Sequence, residues 1–178
     1  MDNRKHAMQD HKDTRSGNDD RAEEYLDQSI RVLATRALSD DDPLTRKHAI
    51  YLLSLTQNPE DIDIFTKALK DPEKEVRSQA TRALAHMGEP ALKELLSLLK
   101  DPDWRVRYRA AEALGLMKIR EAGIPLIECL SDDNDHVRYM AVKALGQLGD
   151  DEILEAVKPC LQDNNPYVRG IAASILGQ

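Results

Sequence analysis

Apolar residues recur along this chain at steps of three and four, and the pattern restarts every 30 or 31 residues. Val76, Ala80, Ala83, Leu84 and Met87 fall on one face of a 3.6-residue helix. Val106, Ala110, Ala113, Leu114 and Met117 repeat that face, and Val137, Ala141, Ala144, Leu145 and Leu148 repeat it again. A shorter apolar run follows each: Leu92, Leu95, Leu96 and Leu99; then Ile124, Ile127 and Leu130; then Ile153, Leu154, Val157 and Leu161. The spacing predicts two helices per unit, a longer helix A and a helix B. A further helix is predicted from about Arg21 to Leu38, in the place of a leading helix B, with Tyr25, Leu26, Ile30, Leu33, Ala34, Ala37 and Leu38 as its apolar positions.

Aligning the chain with itself fixes the unit. DPEKEVRSQATRALAHMG from Asp71 matches DPDWRVRYRAAEALGLMK from Asp101, DDNDHVRYMAVKALGQLG from Asp132 and DNNPYVRGIAASILGQ from Asp163. A more diverged copy, DDDPLTRKHAIYLLSLTQ, starts at Asp40, so successive starts lie 31, 30, 31 and 31 residues apart. Asp71-Pro72 and Asp101-Pro102 read as helix starts, an N-cap followed by proline. Gly88 and Gly149 stand where helix A should stop. A short A-to-B turn makes the two helices antiparallel, and one pair cannot bury its own apolar face. The expected fold is therefore all-α: an α-α superhelix, or solenoid, of about four and a half repeats. Residues 1–20 are polar with no apolar period and read as a disordered tail, leaving 21–178 as the repeat domain.

The recurring D-x-x-x-x-V-R-x-x-A-x-x-A-L-G resembles the HEAT repeat, in the short variety of the phycobilin-lyase-like HEAT proteins. The likeness covers roughly residues 40 to 178. It implies a stacked helical scaffold that binds other proteins, and an alternative role as an accessory or lyase-like subunit in tetrapyrrole (bilin) chemistry. It also implies that the Asp and Arg six apart in every copy (Asp40/Arg46, Asp71/Arg77, Asp101/Arg107, Asp132/Arg138, Asp163/Arg169) form a ladder between neighbouring repeats. The other reading of that column is a periodic charged groove.

Charge and motifs narrow the function. A net charge of −7 argues against a general nucleic-acid binder, which needs a basic face. No apolar stretch is long enough to span a membrane, and the polar N-terminus has no apolar signal-peptide core, so a cytoplasmic protein is expected. No GxGxxG, P-loop, GxSxG, HExxH or CxxC occurs; no enzyme activity, cofactor or metal is expected. Two enzyme families share the fold by resemblance. Deoxyhypusine hydroxylases carry His-Glu pairs on repeated helices to hold two irons. The matching positions here read Lys47-His48, Ser78-Gln79, Tyr108-Arg109, Tyr139-Met140 and Gly170-Ile171. HEAT-like DNA glycosylases need a basic groove, whereas the B helices carry Glu60, Asp61, Asp63, Glu89, Glu94, Glu121, Glu128, Asp151, Glu152 and Glu155. Cys129 and Cys160 share one apolar slot of consecutive B helices and read as reduced core residues.

A binding site should lie where the repeats differ. Trp104, Arg105, Tyr108 and Arg109, then His136, Tyr139 and Met140, then Tyr167, form an aromatic and basic stripe on three successive A helices. These are favoured hot-spot types, although rings in that place also serve to cover neighbouring helices. The acidic B helices suit a basic protein partner. Val168, Ile171, Ala172, Ile175 and Leu176 exceed one buried stripe: either the end is a local compromise in a monomer, or it docks on something, self-association through the C-terminal repeat being one such reading.

Overall fold

A computed structural model describes residues 25–177; the expected polar tail, 1–20, lies outside them. Helix α1 runs through residues 25–37. The A helices are α2 (Pro43–Thr56), α4 (Lys74–Met87), α6 (Trp104–Met117), α8 (Asp135–Leu148) and α10 (Pro166–Ile175). Between them lie α3 (Ile62–Ala68), α5 (Glu89–Leu98), α7 (Gly123–Glu128) and α9 (Asp151–Glu155), with short 3-10 turns completing the B layer. Each A helix packs on the next, and α3, α5 and α7 pack on the A helix that follows them. The result is the two-layer solenoid expected from the repeat.

The core is a set of columns. Ala49, Ala80, Ala110, Ala141 and Ala172 occupy one buried slot of the A layer, and Leu53, Leu84, Leu114 and Leu145 another. Small side chains let these helices approach closely: a Cβ on Gly115 of α6 would lie 2.9 Å from the Cα of Ala144 in α8. In the B layer the shared column is Phe65, Leu95, Leu126 and Val157, all fully buried, each contributing roughly 1.5–3 kcal/mol by burial. This corrects the sequence reading of the third B helix. Ile124 is 75% exposed, because Pro125 and the 3-10 turns around α7 rotate its apolar face onto Leu126.

The helix starts also differ from expectation. The capping residue lies two positions after the repeated Asp: the side chains of Asp42, Asp103, Asn134 and Asn165 accept N–H bonds at the starts of α2, α6, α8 and α10. The repeated Asp instead folds the preceding turn, its Oδ1 accepting the capping residue's own N–H. Glu73 holds the cap position of α4 and gives its N–H to Asp71 in the same way, but its side chain accepts no N–H from the helix start.

That frees the repeated Asp for the ladder. Arg46 grips Asp71 of the next repeat through Nε and Nη2 at 2.8 and 2.9 Å. Arg107 grips Asp132 at 2.7 and 2.8 Å, and Arg138 grips Asp163 at 2.8 and 2.9 Å. In each case Nη1 donates to the carbonyl of the arginine's own repeated Asp. Arg77 keeps that backbone anchor but makes no pair with Asp101, whose carboxylate takes Lys70 Nζ at 3.0 Å instead. The intervening repeat is the one of 30 residues. The missing residue falls in the A-to-B turn, reduced to Gly88, whose φ of +62° and ψ of −138° suit glycine alone.

At the ends, Val168 and Ala172 are buried while Ile171, Ile175 and Leu176 are half-buried against the core. Much more apolar surface is open on α1 and α2, where Leu26, Leu33, Leu44 and Leu55 are more than half exposed.

Candidate functional site

The A layer presents one continuous irregular surface, and the aromatic stripe lies on it. A shallow cavity of about 250 Å³ runs across α6, α8 and α10, lined by Tyr108, Asp135, His136, Tyr139, Asn165 and Tyr167. A second, of about 270 Å³, lies between α4, α6 and α8, where Lys74, Arg77, Trp104 and Arg105 join Tyr108 and His136. Tyr108 and His136 belong to both, so the two form one groove.

Local structure positions each wall. Trp104 and His136 open successive A helices, and their rings tilt against each other with centroids 5.0 Å apart. Asp135 Oδ1 accepts from His136 Nδ1 at 2.8 Å, and its other oxygen accepts the Asn165 side-chain amide. These bonds hold Asp135 below the usual carboxylate range and tie α8 to the start of α10. Tyr108 and Tyr139 are half-buried, whereas Tyr167 is 76% exposed. Burial, then the nearby Glu112 carboxylate, pushes the Tyr108 hydroxyl up, so it stays a neutral donor at neutral pH.

Two of the stripe's expected members are not free for a partner. Met140 is 2% exposed and Arg109 7%. Both follow the tyrosine in their repeats, a position that turns inward between neighbouring A helices, as does the buried Gln79. Arg109 donates to Glu112 at 2.7 Å and lies 5.3 Å from the centre of the Tyr108 ring, so it supports the tyrosine from below. Trp104, Arg105, Tyr108, His136, Tyr139 and Tyr167 come together as the sequence suggests. Arg77, read from the sequence as a ladder residue, joins them, as do Lys74, Asp135 and Asn165, which residue type had not singled out.

The acidic B surface loses one member. Asp61 is fully buried and receives Arg31 of α1 through Nε and Nη2 at 3.2 and 2.9 Å. It fastens the N-terminal helix to the stack, while Glu60, Glu89, Glu121, Glu128, Glu152 and Glu155 stay exposed. Cys129 and Cys160 are both free and buried, and burial pushes the Cys129 thiol up to about 11.

Comparison with known proteins follows the architecture. The family described as HEAT repeats matches residues 62–135 and 125–178. Deoxyhypusine hydroxylase of Drosophila melanogaster is 33% identical over 92 residues, half of this chain and 30% of the fly enzyme. Among solved structures, the complex of CpcE and CpcF of phycocyanin lyase from Nostoc sp. PCC7120 superposes with a TM-score of 0.58 at 25% identity, covering 82% of this chain and 63% of that one. A designed armadillo repeat protein in complex with the peptide (KR)4 gives 0.51 at 22% identity, covering 81% of this chain and 79% of that one, a likeness of fold alone. The chain thus spans less than two thirds of the fly enzyme and of the phycocyanin lyase chain. Among the described residues, no helix is long and apolar enough to cross a membrane.

Proposed function

The chain belongs to the HEAT repeat family, and from that premise we propose that it is a non-enzymatic protein-binding module which seats a partner on the groove of α6, α8 and α10. One observation carries the reading: Tyr108, His136, Tyr139 and Tyr167, from three different repeats, line a single open cavity. Tyrosines present large, rigid area at low entropic cost, and each keeps a polar tip for the partner's backbone. The hydrogen bonds through Asp135 fix the spacing of the walls before anything binds, which limits the ordering cost of association. The positions where the resemblance would place His-Glu pairs hold Tyr108-Arg109 and Tyr139-Met140, and the second residue of each pair is buried. That is a packing arrangement rather than a set of metal donors.

The test is affinity capture from the native source with the tagged wild type and with Tyr108→Ala/Tyr139→Ala. Proteins enriched by the wild type should be lost from the variant, while its helical signal and melting temperature stay close to the parent. Equal capture by both proteins, or a collapse of stability in the variant, overturns the reading.

A second reading rests on the likeness to the CpcE–CpcF complex: an accessory subunit of a bilin-modifying enzyme. Capture of a coloured, bilin-bearing partner would favour it. Capture of basic proteins that is indifferent to the tyrosine pair would instead direct attention to the exposed glutamates of the B layer.

A further inference from the structure

Arg77 is a ladder arginine whose rung is open. In its sisters Arg46, Arg107 and Arg138, Nη1 is anchored on the carbonyl of the arginine's own turn, and the Nε–Nη2 edge takes both oxygens of an aspartate. Arg77 has the same anchor, donating Nη1 to the Asp71 and Pro72 carbonyls at 2.6 Å each. Its Nε and Nη2 make no hydrogen bond among the described residues. The cause lies in the chain itself: the repeat is one residue short, and the Asp101 carboxylate is paired with Lys70 instead.

The cavity beside it is the one lined by Lys74, Trp104 and Arg105. Arg105 is paired with Asp103 at 3.2 Å and Arg109 with Glu112. Lys74 and Arg77 are left there as cations without an ion pair among the described residues, in a protein of net charge −7. We propose that this cavity is a carboxylate-binding site, and that an Asp or Glu side chain of the partner seated on the tyrosine groove closes the open rung in trans. The inference rests on the protein-binding reading of that groove. The ligand class is taken from the molecule, which three times over shows this anchored guanidinium edge holding a carboxylate in two-point contact. Glu73 and Glu75 adjoin Lys74 in the sequence and Asp103 is paired with Arg105, so the cavity offers too few free cations for a polyanionic nucleic-acid backbone, whereas a single carboxylate needs only the Arg77 edge.

Two measurements on the full chain test it. The arginine Nε–H resonances are followed by 15N NMR while sodium acetate replaces sodium chloride at constant ionic strength. The Arg77 signal should move and saturate, while those of Arg46, Arg107 and Arg138, sealed by aspartates, stay in place. A fluorescein-labelled peptide of alternating Glu and Tyr is then compared, by anisotropy, with its Gln/Tyr counterpart. The Glu peptide should bind about fivefold more tightly, the scale of one well-formed ion pair. Arg77→Gln should erase that preference, and Arg107→Gln, with the same loss of charge at a sealed rung, should keep it. A stationary Arg77 signal, no preference for Glu, or equal losses in the two variants would overturn the site. In that event tyrosine-dependent capture still stands for the groove by itself. Conversely, a carboxylate-selective Arg77 with tyrosine-indifferent capture would support the site and count against the protein-binding reading.

Discussion

Arg107 and Arg77 hold the same slot in consecutive repeats, share the same backbone anchor and differ in one bidentate contact. They therefore measure what a rung contributes. Arg107→Gln removes the two bonds to Asp132 together with the carbonyl anchor, and leaves the Asp132 carboxylate largely shielded from water. It should lower the unfolding free energy by about 1–3 kcal/mol. Arg77→Gln breaks no ion pair among the described residues and should cost less than about 1 kcal/mol. Urea unfolding of both variants decides; equal losses would mean that the carbonyl anchor, not the carboxylate, supplies the stability. Cys129 gives a second readout at this scale. Its thiol is buried and pushed up to about 11, so almost none of it is thiolate at neutral pH. Iodoacetamide should label native protein slowly and urea-unfolded protein quickly; rapid native labelling would show that the B layer opens readily.

The helix starts are where one substitution should improve the protein. Four A helices are capped by Asp or Asn, and α4 has Glu73 in that place without a capping bond. The glutamate side chain is one carbon too long for the tight bond back to the first turn. Glu73→Asn should therefore raise the unfolding free energy by about 0.5–1 kcal/mol, seen as a higher urea midpoint with an unchanged slope. The same comparison shows how far sequence pattern reaches. Helix A was legible throughout, because its apolar face repeats over fourteen residues in α4, α6 and α8. Helix B was legible as an element but not in rotation: six residues in α7, flanked by 3-10 turns, are too few to set a face, and Ile124 was mistaken for Leu126. In the groove, residue type found the tyrosines but could not tell the outward Tyr139 from the inward Met140 beside it, since the A helices are contacted on both flanks. The open rung at Arg77 was visible only as a repeat of 30 residues among repeats of 31, a length difference whose meaning depends on knowing that Arg reaches the next repeat's Asp.

On the scale of the whole molecule the ladder makes stability depend on pH. Bonds from Arg138 hold Asp163 below the ordinary carboxylate range despite burial. In Asp71 and Asp132 burial acts upward, but the bonds from Arg46 and Arg107 and from the backbone outweigh it, and the net shift is again downward. A depressed folded-state value means that the unfolded chain binds more protons near pH 4, so stability rises with pH through that window and is lost as pH falls. Two effects oppose one another on acidification. From pH 7 toward the isoelectric point near 5.3, the net charge of −7 is neutralised and self-repulsion fades. Near pH 4 and below, the unfolded chain takes up protons that the rungs resist, and once the pH falls through the depressed values of the rungs three of the repeat junctions loosen. Because each repeat is held only by its neighbours, those losses fall on the interfaces that make the stack cooperative. Unfolding free energies measured in urea should pass through a maximum near pH 5 and fall steeply below pH 4. Asp163→Asn should be less stable at pH 7 and show a shallower acid limb, by up to one proton, or about 1.4 kcal/mol per pH unit. An acid limb of unchanged slope in that variant would place the titrating carboxylates elsewhere, with the helix caps Asp42 and Asp103, also held low by their bonds, as the next to substitute.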